Sequence, residues 1–100
     1  MCGDATPGTA TGTVLIENAQ TRVTEWRFPG RGDNTGWHRH AHDYVVVPLF
    51  DGALALREPG GVEREAQLSN GVPDFRRSGV EHDVVNANDF EGAFIEIAFL

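Results

Sequence analysis

Four histidines carry most of the chemistry this sequence can offer, and three of them fall within five residues, at His38, His40 and His42. The fourth, His82, stands far along the chain. His38-Arg39-His40 is an H-x-H pattern. On a strand, alternate residues share a face, so both imidazoles project together from backbone positions about 6–7 Å apart. Two such nitrogens can close on one cation. A third imidazole from another strand would complete a facial set and leave positions open for water or substrate. The same parity sends His42 and Tyr44 inward if the strand runs unbroken, and turns Asp43 away. A solvated surface pair is the plain alternative. Trp37 before the pair and the apolar run 44–50 after it favour an inner strand, where imidazoles without a metal need other partners.

Other toolkits are largely excluded by composition. Fifteen acids against eight bases give a net charge of −7, so the basic footprint of a nucleic-acid binder is missing. All eight bases are arginine. Without lysine there is no Schiff-base chemistry, no pyridoxal phosphate anchor and no phosphate-loop lysine. The two serines, Ser69 and Ser78, lie outside any G-x-S-x-G pattern. The single cysteine, Cys2, offers neither a disulfide framework nor a Cys-rich zinc site, which fits a cytoplasmic protein. No stretch approaches the roughly 18 apolar residues of a membrane helix, so no membrane partner is expected. The start of the chain lacks a basic segment followed by an apolar one, so no secretory signal is expected either.

The elements that must position these residues read as all-β. One hundred residues suit a single domain. Glycine and proline are spread so evenly that long helices are disfavoured, and no segment repeats with helical period. Residues 1–13, small and Gly/Thr-rich, read as a disordered or extended arm without function. Beyond it, β-branched and aromatic enrichment between turn residues predicts strands at 14–17, 23–28, 37–41, 44–49, 53–57, 63–68, 72–76, 82–86 and 93–99. Asp51-Gly52 and Asn70-Gly71 are turn signals, and Pro59-Gly60-Gly61 ends the return strand. Trp26, Phe28, Phe50, Phe75, Phe94, Ile95, Ile97 and Phe99 are the expected core, with Trp37 packed beside it. About nine or ten short strands at this spacing predict a sandwich or jelly-roll barrel.

Two stretches resemble a known family. Gly32-Asp-Asn-Thr-Gly-Trp-His38-Arg-His40 is similar to the first cupin motif, G-x5-H-x-H. The stretch from Gly71 through Gly79 and His82 to Asn86 is similar to the second, G-x5-P-x-G-x2-H-x3-N, with Arg77 in place of the proline. The resemblance covers about residues 14–100. It implies one antiparallel double-stranded β-helix, a jelly-roll barrel, often dimeric. It also implies a metal held by His38, His40 and His82. The first motif continues to a glutamate that is usually a ligand; Tyr44 stands in that column, and Gly52 falls one residue late. A phenol is a weaker ligand than a carboxylate, which leaves a three-histidine centre and makes Tyr44 a proton donor or acceptor, or an occasional ligand. The phrases Gly36-Trp-His-Arg-His and Gly79-Val-Glu-His-Asp-Val-Val-Asn resemble small cupins linked with β-alanine degradation.

The ion would be a divalent first-row transition metal: imidazole suits Fe, Zn, Ni, Co, Cu or Mn without choosing among them. Because ligand imidazoles must be neutral, metal affinity is expected to fall below about pH 6. His42 lines the pocket or its rim, or adds a fourth imidazole. Asn86 orients by hydrogen bonding, Asp43 orients a histidine or caps a turn, and Glu81 and Asp83 point away from the site. Arg76 and Arg77 are surface charges, or one faces the cavity and holds a carboxylate. Two functions stay open: a metal-dependent enzyme, such as a dioxygenase, on a small carboxylate-bearing metabolite, or a module that binds or senses a small molecule without converting it. A metal-free barrel with packed histidines is the third.

Overall fold

Turn residues cut the chain into short extended runs, and nearly every run becomes a strand. A computed structural model describes residues 8–100; of the arm expected over residues 1–13, residues 1–7 lie outside them. The strands are β1 (Thr11–Glu17), β2 (Thr21–Phe28), β3 (His38–Arg39), β4 (Tyr44–Pro48), β5 (Gly52–Glu58), β6 (Val62–Leu68), β7 (Asp74–Arg76), β8 (Glu81–Asn86) and β9 (Gly92–Phe99). β1 therefore begins at Thr11, inside the stretch read as an arm. Among the described residues no helix is long and apolar enough to cross a membrane.

Every ladder is antiparallel. One sheet runs β1-β2-β9-β4-β7 and the other β3-β8-β5-β6, giving the jelly-roll arrangement expected from the sequence. The core between them holds Trp26, Phe28, Phe50, Leu54, Leu56, Val84 and Phe94. Phe28 and Phe94 meet at 5.6 Å between ring centroids. Each such buried ring contributes roughly 1.5–3 kcal/mol by leaving water. Alternation works cleanly in β2, where Thr24, Trp26 and Phe28 are buried and Glu25 and Arg27 are only half so. Gly12 of β1 lies directly over the indole: a Cβ there would sit 2.9 Å from the Trp26 ring.

Three expectations need correction. In β9 the inward residues are Phe94, Glu96 and Ala98, while Ile95 and Ile97 are half-buried and Phe99 is exposed. This strand is apolar on both faces, so its pattern could not report which face is inner. Phe75 is exposed, because β7 is an edge strand and Phe75 lies opposite Val45 on the outer face. The strand expected over 37–41 shrinks to His38–Arg39. The chain must leave the sheet of β3 and enter that of β4, so it bends after His40. His42 sits in that bend, half-buried, rather than continuing an inward row.

Candidate metal centre

Strand pairing brings the distant histidines together. His38 and His82 are register partners on the β3–β8 ladder, and directly opposed residues point to one face with Cβ atoms about 4.5–5.5 Å apart. His40 follows from just beyond β3. Its N–H donates to the carbonyl of Val80 at 2.8 Å, and its carbonyl accepts from the Gly79 N–H at 2.7 Å. That clasp needs Gly79 at φ 93°, a region that costs an L-residue roughly 1–2 kcal/mol.

All three imidazoles are buried and turn their Nε2 atoms toward one point. His38 and His40 are 2.9 Å apart at Nε2, and His40 and His82 are 3.2 Å apart. Metal–nitrogen bonds of about 2.0–2.1 Å, set at right angles or tetrahedrally, separate two donor atoms by about 2.8–3.4 Å. The spacing therefore fits a shared cation, and the three form a group that could hold one. The Nδ1 of His38 lies 2.9 Å from the Gly36 carbonyl. A carbonyl only accepts, so the proton sits on Nδ1 and the Nε2 lone pair is free.

Electrostatics keep the rings neutral. Burial pushes His38 below its ordinary value. Burial, then repulsion from His38 and His82, lowers His40 to about 3. Burial, then His38 and Arg76, lowers His82 to about 4. Neutral imidazole is the form that ligates. Proton competition in the folded chain thus moves below the pH of about 6 that a free imidazole would suggest.

Tyr44 is fully inside, its ring stacked on His40 at 3.9 Å between centroids and 16° between planes. Burial, with Glu96 adding, pushes its hydroxyl above the usual range, so it remains a neutral phenol. Glu96 is the site residue that sequence reasoning missed. It reaches in from β9 with Oε2 3.9 Å from Nδ1 of His40. Burial pushes its carboxyl above the ordinary range, while a hydrogen bond from Trp26 acts the other way. The signal was present: one charge stood in the middle of an otherwise apolar strand, 93–99.

These groups open onto a cavity of about 250 Å³ with apolar walls that include Trp26, Leu54, Leu56 and Val84. Two ion pairs also line it, Arg76–Asp74 and Arg64–Glu58, each closed by contacts of 2.7–2.8 Å. Of the adjacent pair, Arg76 is thus the one at the cavity, and Arg77 lies over the ring of Phe75 instead.

The remaining candidates hold the frame. Asp43 accepts from the Ser78 N–H at 2.7 Å and so ties the turn beneath His40. Glu81 accepts from the Trp37 indole at 2.8 Å, which keeps Trp37 half-buried and away from the cavity wall. Asp83 points away from the histidines and accepts from Asn34 and the Gly36 N–H. Asn86 donates to the carbonyls of Phe28 and Phe90 and accepts from Asn88, so the groups its hydrogen bonds orient are those of the surrounding loops.

No family model matches the chain. The β-alanine degradation protein BauB of Pseudomonas aeruginosa is 55% identical over 84 residues, covering 84% of this chain and 86% of that protein. The crystal structure of a cupin domain from Bordetella pertussis matches with a TM-score of 0.87 at 50% identity, covering 98% of this chain and 99% of that one. An RmlC-like cupin with a double-stranded β-helix fold from Methanocaldococcus jannaschii gives a TM-score of 0.73 at 14% identity, over 91% of this chain and 80% of that one, a likeness of fold alone.

Proposed function

This chain belongs to the cupin family, and on that footing we propose that it is a metal-dependent enzyme, of dioxygenase type or a related small-molecule chemistry, acting on a small carboxylate-bearing metabolite. His38, His40 and His82 hold a divalent first-row ion in this reading. The observation that carries it is the convergence of three neutral, buried Nε2 atoms on one wall of the cavity. The name of the Pseudomonas relative ties that protein to β-alanine degradation, a setting of small carboxylates.

When bound, the ion supplies Lewis acidity or a redox centre through its open positions. The chain supplies the rest. The apolar walls exclude water and strengthen every polar contact inside. Tyr44, kept neutral, donates a hydrogen bond or a proton to a substrate oxygen beside the triad. Arg76 stands at the cavity with a guanidinium able to meet a carboxylate. Residues 14–100 act as one domain, in a cytoplasmic setting that suits a single cysteine. A homodimer completes the reading, supported by the apolar outer face of the β1-β2-β9-β4-β7 sheet.

Elemental analysis of purified wild type beside His38→Ala tests the centre. Wild type should carry about one first-row metal per chain, and the variant far less. Equal occupancy removes His38 from the site. With Fe(II) and O2, small carboxylates should disappear with a product mass shift, and Tyr44→Phe should slow turnover by about 10²-fold or more while retaining metal. Saturable binding without conversion would identify a sensor instead.

A further inference from the structure

We infer that Glu96 is a positioning residue for the metal centre, holding the far nitrogen of His40 so that the near one faces the ion. This rests on the three-histidine reading above. A ring that ligates through Nε2 must carry its proton on Nδ1, and that proton needs an acceptor. In His38 the acceptor is the Gly36 carbonyl at 2.9 Å. For His40 the group facing Nδ1 is the Glu96 carboxylate, 3.9 Å away, with both side chains at most a tenth exposed. The pair is one side-chain adjustment of about 1 Å from a charge-assisted hydrogen bond of roughly 2.7–2.9 Å. The stacked ring of Tyr44 keeps His40 from turning to another acceptor.

The cost of Glu96 points the same way. It is a buried carboxylate that meets the Trp26 indole and faces His40, with Arg22 adding only a weaker attraction from further off. None of the arginine–carboxylate pairs among the described residues includes it. Burial of a carboxylate without a directly paired cation is destabilising, and an amide or apolar residue would serve packing better. What the charge serves is the imidazole in front of it. A carboxylate behind a ligand histidine fixes the ring and raises its basicity. It also places a negative charge beside a set of three uncharged donors.

The test compares wild type, Glu96→Gln and Glu96→Ala, each loaded with Co(II). Affinity is read by competition with a chelator, geometry by the ligand-field absorption of Co(II), and metal-free stability by the Tm. Glu96→Ala should weaken Co(II) binding about 10–100-fold and change the absorption band. Glu96→Gln keeps an acceptor for Trp26 and His40 but loses the charge, and should fall between. Metal-free Glu96→Gln should melt at or above wild type. Binding by both variants within twofold of wild type, with an unchanged spectrum, overturns the inference and leaves the three-histidine centre standing. A loss of affinity matched by a loss of metal-free Tm in Glu96→Gln also overturns it, since the role would then be structural. Wild type that takes up no Co(II) overturns both readings together.

Discussion

Neutral imidazole is the only form of histidine with a lone pair to give, and burial enforces that form here at a cost that depends on pH. Histidines of the unfolded chain titrate near 6.5, whereas folded His40 and His82 sit at about 3 and about 4. Between those values the unfolded state binds more protons than the folded one, so unfolding free energy falls as pH drops through the window from about 6.5 to about 4. Above it the rings contribute nothing to the slope. Thermal melts of metal-free protein should therefore show Tm declining from pH 7 to pH 5, with a shallower decline in His82→Asn. Equal slopes in the two proteins would mean that His82 is not held neutral by burial. The triad was legible in the sequence because H-x-H has the strand period and His82 sits in a second motif. Glu96 left a signal, the one charge in an apolar strand, but the isoleucines beside it, residues 95 and 97, look more like core and masked which face was inner. Position 44 was legible as a departure from the motif, and its stacking on His40 was not, since no spacing rule reports ring orientation.

At the scale of elements, the site depends on how β3, β8 and the turn before β8 are joined. Gly79 carries the clasp on His40 at φ 93°, and a Cβ there would meet nothing within 4 Å. The cost of Gly79→Ala is therefore backbone strain without a clash, about 1–2 kcal/mol. Urea denaturation should show that loss, and metal affinity should fall with it as the clasp loosens. A variant as stable as wild type would mean that the turn relaxes freely. Strand existence was readable almost throughout, since turn residues bracket each run. Facing was readable in β2, where charges alternate with aromatics, unreadable in β9, where apolar residues occupy both sides of the sheet, and inverted in β7, where Asp74 and Arg76 line the cavity and Phe75 faces out. The bend after His40 was hidden for another reason: a change of sheet leaves no mark on a five-residue pattern.

For the whole molecule, the outer face of the larger sheet matters most. Register places Ile16, Val23, Ile97, Val45 and Phe75 in one row across all five strands. Ile16 is 55% exposed and Phe75 51%, so both ends of the row stand in solvent. A contiguous apolar patch of this kind marks an association surface, and a two-fold pairing of like faces closes without leaving a free copy of it. Light scattering coupled to size exclusion should give a dimer mass for wild type and a monomer mass for Phe75→Glu, which changes a residue that is exposed in the single chain. A wild-type monomer would refute the pairing.

At the far edge of the same sheet, β1 is exposed at every one of its seven positions. Its tie to the interior is Gly12 pressed on the Trp26 ring, and the ring in turn lines the cavity. A strand held by backbone bonds with so little burial opens locally at small cost. Its amides should trade protium for deuterium well before those of β2 and β9. Each opening bares the outer side of the indole, so the cavity wall breathes with the strand. A molecule lodged against Trp26 would damp that breathing, and slowed exchange in β1 would report occupancy with no turnover assay at all.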